Sequence, residues 1–381
     1  MNKKIYLDNA SNTPLLKELS ENHIKYLNKI GNPSSNHSLG LIKKFKIEKA
    51  RTKIARIFKI KQDEIIFTSS GTEANNLILR SSIKYLNIKC IITSFLEHKS
   101  VLETVYDLYK YYNIVVKFVK NNDKGEINLS DLKKKLKEDE MPTLVSLMYV
   151  NNEIGNILNI KKVGKLCKKY KNKYFHSDTI QAIGWLKINI HKLNLHFASC
   201  SAHKFYGPTG IGFAFVNKNL NIKSFLTGGR QEQNIRAGTE NFSGIMGFTK
   251  ALEFLKKDFI KHKTYLKKLK KYCIKELKRN IPDIKYVGMS ESLKSSIYTI
   301  ISIAIPKKEL LTFKLDMKGI ILSQSSACMS TEYSHVIKSL RIKNLIRKKT
   351  ILRISLGIYN KKKEIIKFIK ILKNIMEDEK S

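Results

Sequence analysis

The chain has 381 residues, of which 42% are hydrophobic and only 6 are Pro. That is long enough for two domains of about 100–200 residues each and too apolar for a disordered chain. The formal net charge of +40 comes from 63 Lys and only 9 Arg. Lysines spread along helical runs suit a solvated surface better than the guanidinium forks that read phosphates and base edges, so nucleic acid is not the expected primary partner. The five cysteines are odd in number and form no CxxC pair, which argues against a disulfide framework and a zinc cluster. No apolar run approaches the about 20 residues of a membrane span, and no Arg-rich or apolar leader precedes the first strand-like run. A soluble, cytoplasmic protein is expected.

In chain order, strand-like and helical segments alternate. Residues 5–7 and 64–68 read as strands, and a Ser-Ser-Gly-Thr turn opens a helix over 73–86. Residues 90–93, 114–119, 143–150 and 174–176 are further strands, separated by helical stretches at 100–112, 129–138 and 160–171. Strands at 197–201 and 211–216 close this series. The alternation predicts an α/β fold: a large, mainly parallel mixed sheet flanked by helices on both faces, with ligands at the carboxyl ends of its strands. A long lysine-rich helix is predicted over 242–278. It is followed by strands at 296–304, 320–322 and 351–355, a helix near 309–317 and a closing helix over 361–376. These read as a second, smaller α/β domain.

Polar residues collect where the strands end. Asp8 and Asn9 follow the first strand, Asp178 and Gln181 the one at 174–176, and Ser201, His203 and Lys204 the one at 197–201, while Thr72 and His98 open helices. Singly, each has a plain explanation. A lysine is usually a solvated cation, a strand-end Asp is often a helix cap, and a Gly-rich turn is usually only a turn. Cys90 and Cys200 lie in apolar runs and read as inert core. Together, these groups suit one ligand. A helix N-terminus with a hydroxyl at Gly71-Thr72 favours a phosphate, a lysine of lowered pKa condenses with an aldehyde, an Asp pairs with a protonated pyridine nitrogen, and a His stacks on a flat ring. That ligand is pyridoxal phosphate.

Ten stretches then resemble the cysteine desulfurases of the NifS/IscS type, within the fold-type I, class V aminotransferase-like pyridoxal phosphate enzymes. They are Tyr6-Leu-Asp-Asn-Ala, Gly31-Asn-Pro-Ser-Ser-Asn-His, Phe67-Thr-Ser-Ser-Gly-Thr-Glu-Ala-Asn-Asn, Glu97-His-Lys-Ser-Val and Val150-Asn-Asn-Glu-Ile-Gly. The others are His176-Ser-Asp-Thr-Ile-Gln, Ser201-Ala-His-Lys-Phe-Tyr-Gly-Pro, Arg236-Ala-Gly-Thr-Glu-Asn, Ser325-Ser-Ala-Cys and Arg353-Ile-Ser-Leu-Gly. They run in order from about residue 6 to 357.

The resemblance implies a role for each matching residue. Lys204 would hold the cofactor covalently, Asp178 would keep the ring nitrogen protonated, and Gln181 would bond the ring oxygen. His98 would stack on the ring and act as acid/base. Gly71, Thr72, Ser201 and His203 would hold the phosphate, with Thr239 reaching it from the neighbouring subunit of a homodimer. Asn152 and Arg353 would grip the substrate carboxylate. Cys328, in a run of small polar residues, would accept sulfur from L-cysteine as a persulfide, releasing L-alanine. No resident metal is implied; Cys328 could ligate a growing iron–sulfur cluster in passing. Residues 13–258 would form the large cofactor-binding domain, and 1–12 with 259–381 the small domain carrying the catalytic cysteine. The sulfur would pass to an acceptor protein for iron–sulfur cluster assembly or tRNA thiolation. The same fold leaves selenocysteine lyase, another class V aminotransferase-like enzyme and a non-catalytic basic scaffold as alternatives.

Three departures stand out. Ser11-Asn12 replaces a more usual Ala/Thr-Thr, Gln233-Asn-Ile replaces Arg-Gly-hydrophobic in the expected dimer-contact loop, and Met329 follows the cysteine where Thr is frequent. The sequence ends soon after its closing helix, without the longer tail with which some members of the resembled family hold the cluster scaffold protein, so that contact is expected to be weaker or made elsewhere.

Overall fold

The computed structural model describes residues 4–324, 333–342 and 349–377. Cys328 and Met329 lie outside them.

Seven strands make the large sheet: β2 (Ile65–Thr68), β3 (Cys90–Thr93), β4 (Val115–Phe118), β5 (Thr143–Ser146), β6 (Lys173–Asp178), β7 (Phe197–Ser201) and β8 (Gly212–Val216). Their order is β2-β8-β7-β6-β5-β3-β4, and only β8 runs against its neighbours. Strands β2, β3, β5, β7 and β8 are buried at every residue. Continuous apolar runs such as Cys-Ile-Ile-Thr therefore belong inside a sheet covered on both faces. Strand β4 closes the edge, with Val115 exposed.

The helices around this sheet are α1 (Lys17–Leu27), α2 (Ser38–Phe58), α3 (Gly71–Leu86), α4 (Lys99–Tyr112), α5 (Leu129–Glu138) and α6 (Ile160–Lys168). A single distorted turn, α7 (Gln231–Asn234), precedes α8 (Phe242–Lys257). Caps set where they start: Ser70 accepts from the Glu73 amide, His98 from Ser100, and Asn128, Asn159 and Asn241 cap α5, α6 and α8.

A second, four-stranded antiparallel sheet has the order β12 (Ser323–Gln324), β13 (Lys349–Ser355), β10 (Ile300–Pro306), β9 (Lys285–Tyr286). Helices α9 (Phe259–Asn280), α10 (Leu311–Met317), α11 (His335–Ser339) and the C-terminal helix Lys362–Glu377 accompany it. The predicted continuous helix over 242–278 is in fact two. Asp258, at φ −106°, ψ 23°, ends α8 and starts α9. The strand predicted at 296–304 begins only at Ile300; Ser296 instead bridges to Asn156. The helix near 309–317 begins at Leu311, because Leu310 is left-handed at φ 51°. No helix among the described residues is long and apolar enough to cross a membrane.

The N-terminal segment joins the two sheets. Strand β1 (Ile5–Tyr6) pairs in parallel with β11 (Ile320–Ile321), and Asp8 bridges to Ser355. The chain then crosses to the large sheet, where the Thr13 amide and hydroxyl both donate to the His203 carbonyl, at 2.9 and 2.8 Å.

Loop 230–236 is held by a buried ion pair. Arg51 on α2 reaches Glu232 in a two-bond fork, 2.8 Å on each arm, and stacks 4.6 Å from the Phe67 ring centre. Glu232 also accepts from the Phe67 amide at 2.7 Å. Glu232, Gln233 and Asn234 all have positive φ, at 44°, 59° and 63°. Asn tolerates that region, whereas Glu and Gln rarely enter it. The Gln-Asn departure thus falls on backbone that the fork holds in place. Removing one partner of such a pair strands a buried charge. Glu232→Ala should lower unfolding stability by about 3–5 kcal/mol, read from urea midpoints; a change under about 1 kcal/mol would mean that the pair does not hold the loop.

Candidate active site

The parallel topology delivers most of the expected residues to one place. Asp178 is the last residue of β6, and Ser201 ends β7 beside it. A short turn after β7 carries Ala202, His203 and Lys204. The N-terminus of α3 approaches the same edge so closely that a Cβ on Gly71 would lie 2.1 Å from Ile180 Cδ1 and 3.4 Å from Ser201 Cβ. A side chain there would have to displace the Ile180 side chain.

Lys204 is mostly buried. Its Nζ donates to the carbonyls of Ala10 at 2.9 Å and Ser11 at 2.5 Å. Burial, assisted by the nearby Arg353 cation and opposed by Asp8 and Asp178, lowers its pKa to about 8. Gln181 Nε2 donates to the same Ala10 carbonyl at 2.9 Å.

Asp178 is held at both oxygens: Oδ2 accepts from Asn75 Nδ2 at 2.9 Å and Oδ1 from the Ile180 amide at 3.0 Å. Asn75 also donates to Ser100 Oγ at 2.9 Å, and its own Oδ1 is buried without a partner. Ser100 Oγ lies 2.8 Å from His98 Nδ1, and the Ser100 amide donates to that nitrogen at 3.1 Å. An amide can only donate, so Nδ1 is the acceptor and the neutral ring carries its proton on Nε2. Burial holds His98 below the usual histidine range and likewise pushes His203 down to about 4, leaving both rings neutral.

Arg353 rises from β13 and is 8% exposed. Nη1 donates to the Asn152 carbonyl at 2.9 Å. Nη2 donates to Asp8 Oδ1 at 2.9 Å, Ser11 Oγ at 2.5 Å and Ser323 Oγ at 2.9 Å. Its Nε and the Asn152 Oδ1 are buried without partners among the described residues; the Nε, a donor, suits an incoming carboxylate. The departure at Ser11 therefore adds a hydroxyl to this arginine's surroundings.

Arg353 and Asn152 line a cavity of about 450 Å³ together with His98, Glu153, Ser323 and His335. Thr72 and His98 line an adjoining one of about 740 Å³. A larger cavity of about 980 Å³, around the α8–α9 junction, holds none of the site residues; it is chemistry, not volume, that marks the site. Thr239 is exposed before α8 and makes no hydrogen bond among the described residues.

The sequence reading missed Asn75, Ser100 and His335. Asn75 stands one turn after Gly71 on the same helix face, a spacing that could have flagged it; the other two gave no such signal. Cys90 and Cys200 are core thiols as expected, their pKa values pushed up by burial.

Residues 5–368 match the family described as Aminotransferase class-V. The chain belongs to the class-V aminotransferase family. A cysteine desulfurase IscS of Dictyoglomus turgidum is 38% identical, with 99% of this chain and 95% of the relative aligned. One from Methanosarcina thermophila is 35% identical over 99% and 93%. A NifS-like protein of Rickettsia africae superposes with a TM-score of 0.87 at 32% identity, covering 98% of this chain and 99% of that one.

Class-V aminotransferases use pyridoxal phosphate, and the residues present fit that group. The glycine cradle at Gly71 opens on the free amides of α3, and Asn75 Oδ1 is an unpartnered buried acceptor. Lys204 is an amine that deprotonates near neutrality. Condensation with an aldehyde needs the neutral amine. Burial disfavours the charged form of Lys204, so its neutral fraction grows as pH rises through about 8. Covalent loading of the apoprotein, followed by absorbance, should therefore speed up through pH 8 and level off by about pH 9.5. A rate still climbing toward pH 10.5 would show an ordinary, solvated lysine.

Proposed function

We propose that this class-V family member is a cysteine desulfurase that takes sulfur from L-cysteine, releases L-alanine and leaves a persulfide on Cys328. The observation that carries this reading is one cavity that holds the buried Arg353 fork and His98 beside the desolvated Lys204. The names of the relatives support it.

The substrate carboxylate binds Arg353, with Asn152 lining the same cavity. Lys204 holds the cofactor. Its Nζ, uncharged above about pH 8, would take the proton from the substrate Cα. Asp178, its plane fixed by Asn75 and Ile180, keeps a proton on the ring nitrogen. Bound pyridoxal phosphate supplies an electron sink for negative charge on the substrate carbons. His98 presents Nε2–H as a donor, with Nδ1 engaged by Ser100. Gln181 is placed to bond the ring oxygen, and Gly71, Thr72, Ser201 and His203 to hold the phosphate.

Cys328 attacks the substrate sulfur as a thiolate. Its electron pair forms the S–S bond, the C–S pair stays on carbon, and protonation there yields alanine. The persulfide then passes to an acceptor protein serving iron–sulfur clusters or tRNA thiolation. Thr239, exposed and without a hydrogen bond among the described residues, would be available to a second copy's phosphate site in a homodimer.

The test is to incubate holoenzyme with L-cysteine, map added sulfur by peptide mass and assay alanine in the same tube. One sulfur on Cys328 with matching alanine is the expected result, and Cys328→Ser should abolish both while still binding cofactor. Undiminished alanine from Cys328→Ser would overturn the assignment.

A further inference from the structure

A separate cavity of about 440 Å³ is lined by neither Lys204, His98 nor Arg353. Leu129, Leu147, Leu158 and Met289 make its walls largely apolar, yet the carboxyl group of Glu97 belongs to it. Glu97 is 1% exposed. Its Oε1 accepts from Ser94 Oγ at 2.9 Å and from the Met148 amide at 3.0 Å, whereas Oε2 is buried with no partner among the described residues. Buried polar atoms are nearly always satisfied, so an orphaned carboxyl oxygen at a cavity points to something that occupies the cavity.

The surroundings narrow what that is. Burial, assisted by Asp178 and opposed by the Met148 and Ser94 hydrogen bonds, raises the Glu97 pKa to about 8, so the group is a neutral acid at pH 7. Both donors point at Oε1, which leaves the proton on Oε2 and makes that atom a donor lacking an acceptor. The side-chain oxygens of the asparagines lining the cavity are already engaged. Asn151 Oδ1 accepts from the Glu153 and Ile154 amides, Asn156 Oδ1 from the Met289 amide and Asn159 Oδ1 from the Lys162 amide. A metal cation would not find there the about six oxygen ligands it requires. Lys294 lines the same cavity, exposed, and its Nζ makes no hydrogen bond or ion pair among the described residues. A neutral acid, an unpaired ammonium and apolar walls suit an anionic oxygen carried on a hydrocarbon body.

We propose that this cavity binds a short-chain aliphatic monocarboxylate, whose carboxylate accepts from Glu97 Oε2–H and faces Lys294. The site goes beyond the desulfurase reading and does not depend on it. A carboxylic acid donating to a carboxylate is a charge-assisted hydrogen bond, stronger than one between neutral groups. The charged and titratable groups about Glu97 are Asp178 at the end of β6, Glu126 on the loop before α5, Lys294 on the loop before β10, His98 next in the chain, and His335, which donates to the Glu97 carbonyl. Asp178 favours the protonated acid, and Lys294 favours the bound anion. Glu126 is held by Asn122 Nδ2 at 2.9 Å. Glu97 and Asn151 each stand one residue from a substrate-site residue, His98 and Asn152, so the occupied cavity borders the backbone that carries both.

The experiment titrates sodium hexanoate, as the probe, into holoenzyme by calorimetry at pH 7 and pH 9.5. One saturable site is expected at pH 7, which neither hexylamine nor hexanol fills. Raising the pH ionises Glu97, which removes the donor and adds a like charge, so affinity should fall by more than about tenfold by pH 9.5. Glu97→Gln keeps an oxygen for Ser94 and Met148 and presents an N–H to the cavity. It should bind within about threefold of the parent at pH 7 and hold that affinity at pH 9.5. Lys294→Gln should bind more weakly. Arg353→Ala, which removes the other carboxylate site, should bind as the parent does. No saturable binding to the parent, an affinity in the parent that ignores pH, loss of binding in Glu97→Gln, or a preference for hexylamine or hexanol would overturn the proposal. Loss of binding in Arg353→Ala would place the probe in the substrate cavity and overturn it as well.

Discussion

Two cations, Lys204 and Arg353, share one poorly solvated space with two carboxylates, Asp8 and Asp178. Everything else at the site follows from how these four are kept apart. Burial and the neighbouring guanidinium push Lys204 toward its neutral form, which is the form that reacts. Asp8 neutralises Arg353, and Asn75 with the Ile180 amide supports Asp178. The segment from Ile5 to Thr13 makes this possible. It supplies Asp8 to the arginine and the Ala10 and Ser11 carbonyls to the lysine while pairing with both halves of the molecule. A site shared between two sheets needs such a strap, because neither sheet alone brings Lys204 and Arg353 together.

The imidazoles of His98 and His335 are both oriented by backbone groups. An amide fixes His98 as an acceptor at Nδ1, and a carbonyl fixes His335 as a donor at Nε2. Backbone groups cannot rotate away as side chains can, so they orient both rings.

Much of the fold could be read from residues alone, because strands buried on both faces are short apolar runs between amphipathic helices. Lys204, Asp178 and Gln181 stood out because polar residues at the ends of apolar strands have few reasons to be there. The break at Asp258 was hidden: apolar spacing and lysines continue through it, and only backbone angles stop the helix. The partners of Asp178 and Arg353 were hidden for a different reason. Asn75 meets Asp178 across 103 residues and Arg353 meets Asp8 across 345, and no local pattern encodes such pairs. His335 was invisible on the same ground, its tautomer being set by a carbonyl 238 residues away.

The central claim is that Lys204, among 63 lysines, is the one that carries the cofactor. Borohydride reduction of the holoenzyme, followed by digestion and peptide mass mapping, tests it directly. A single reduced pyridoxyl group on the peptide containing Lys204, lost in Lys204→Ala, is the result this account predicts. The label on another lysine, or spread over many surface lysines with Lys204 unmodified, would contradict it.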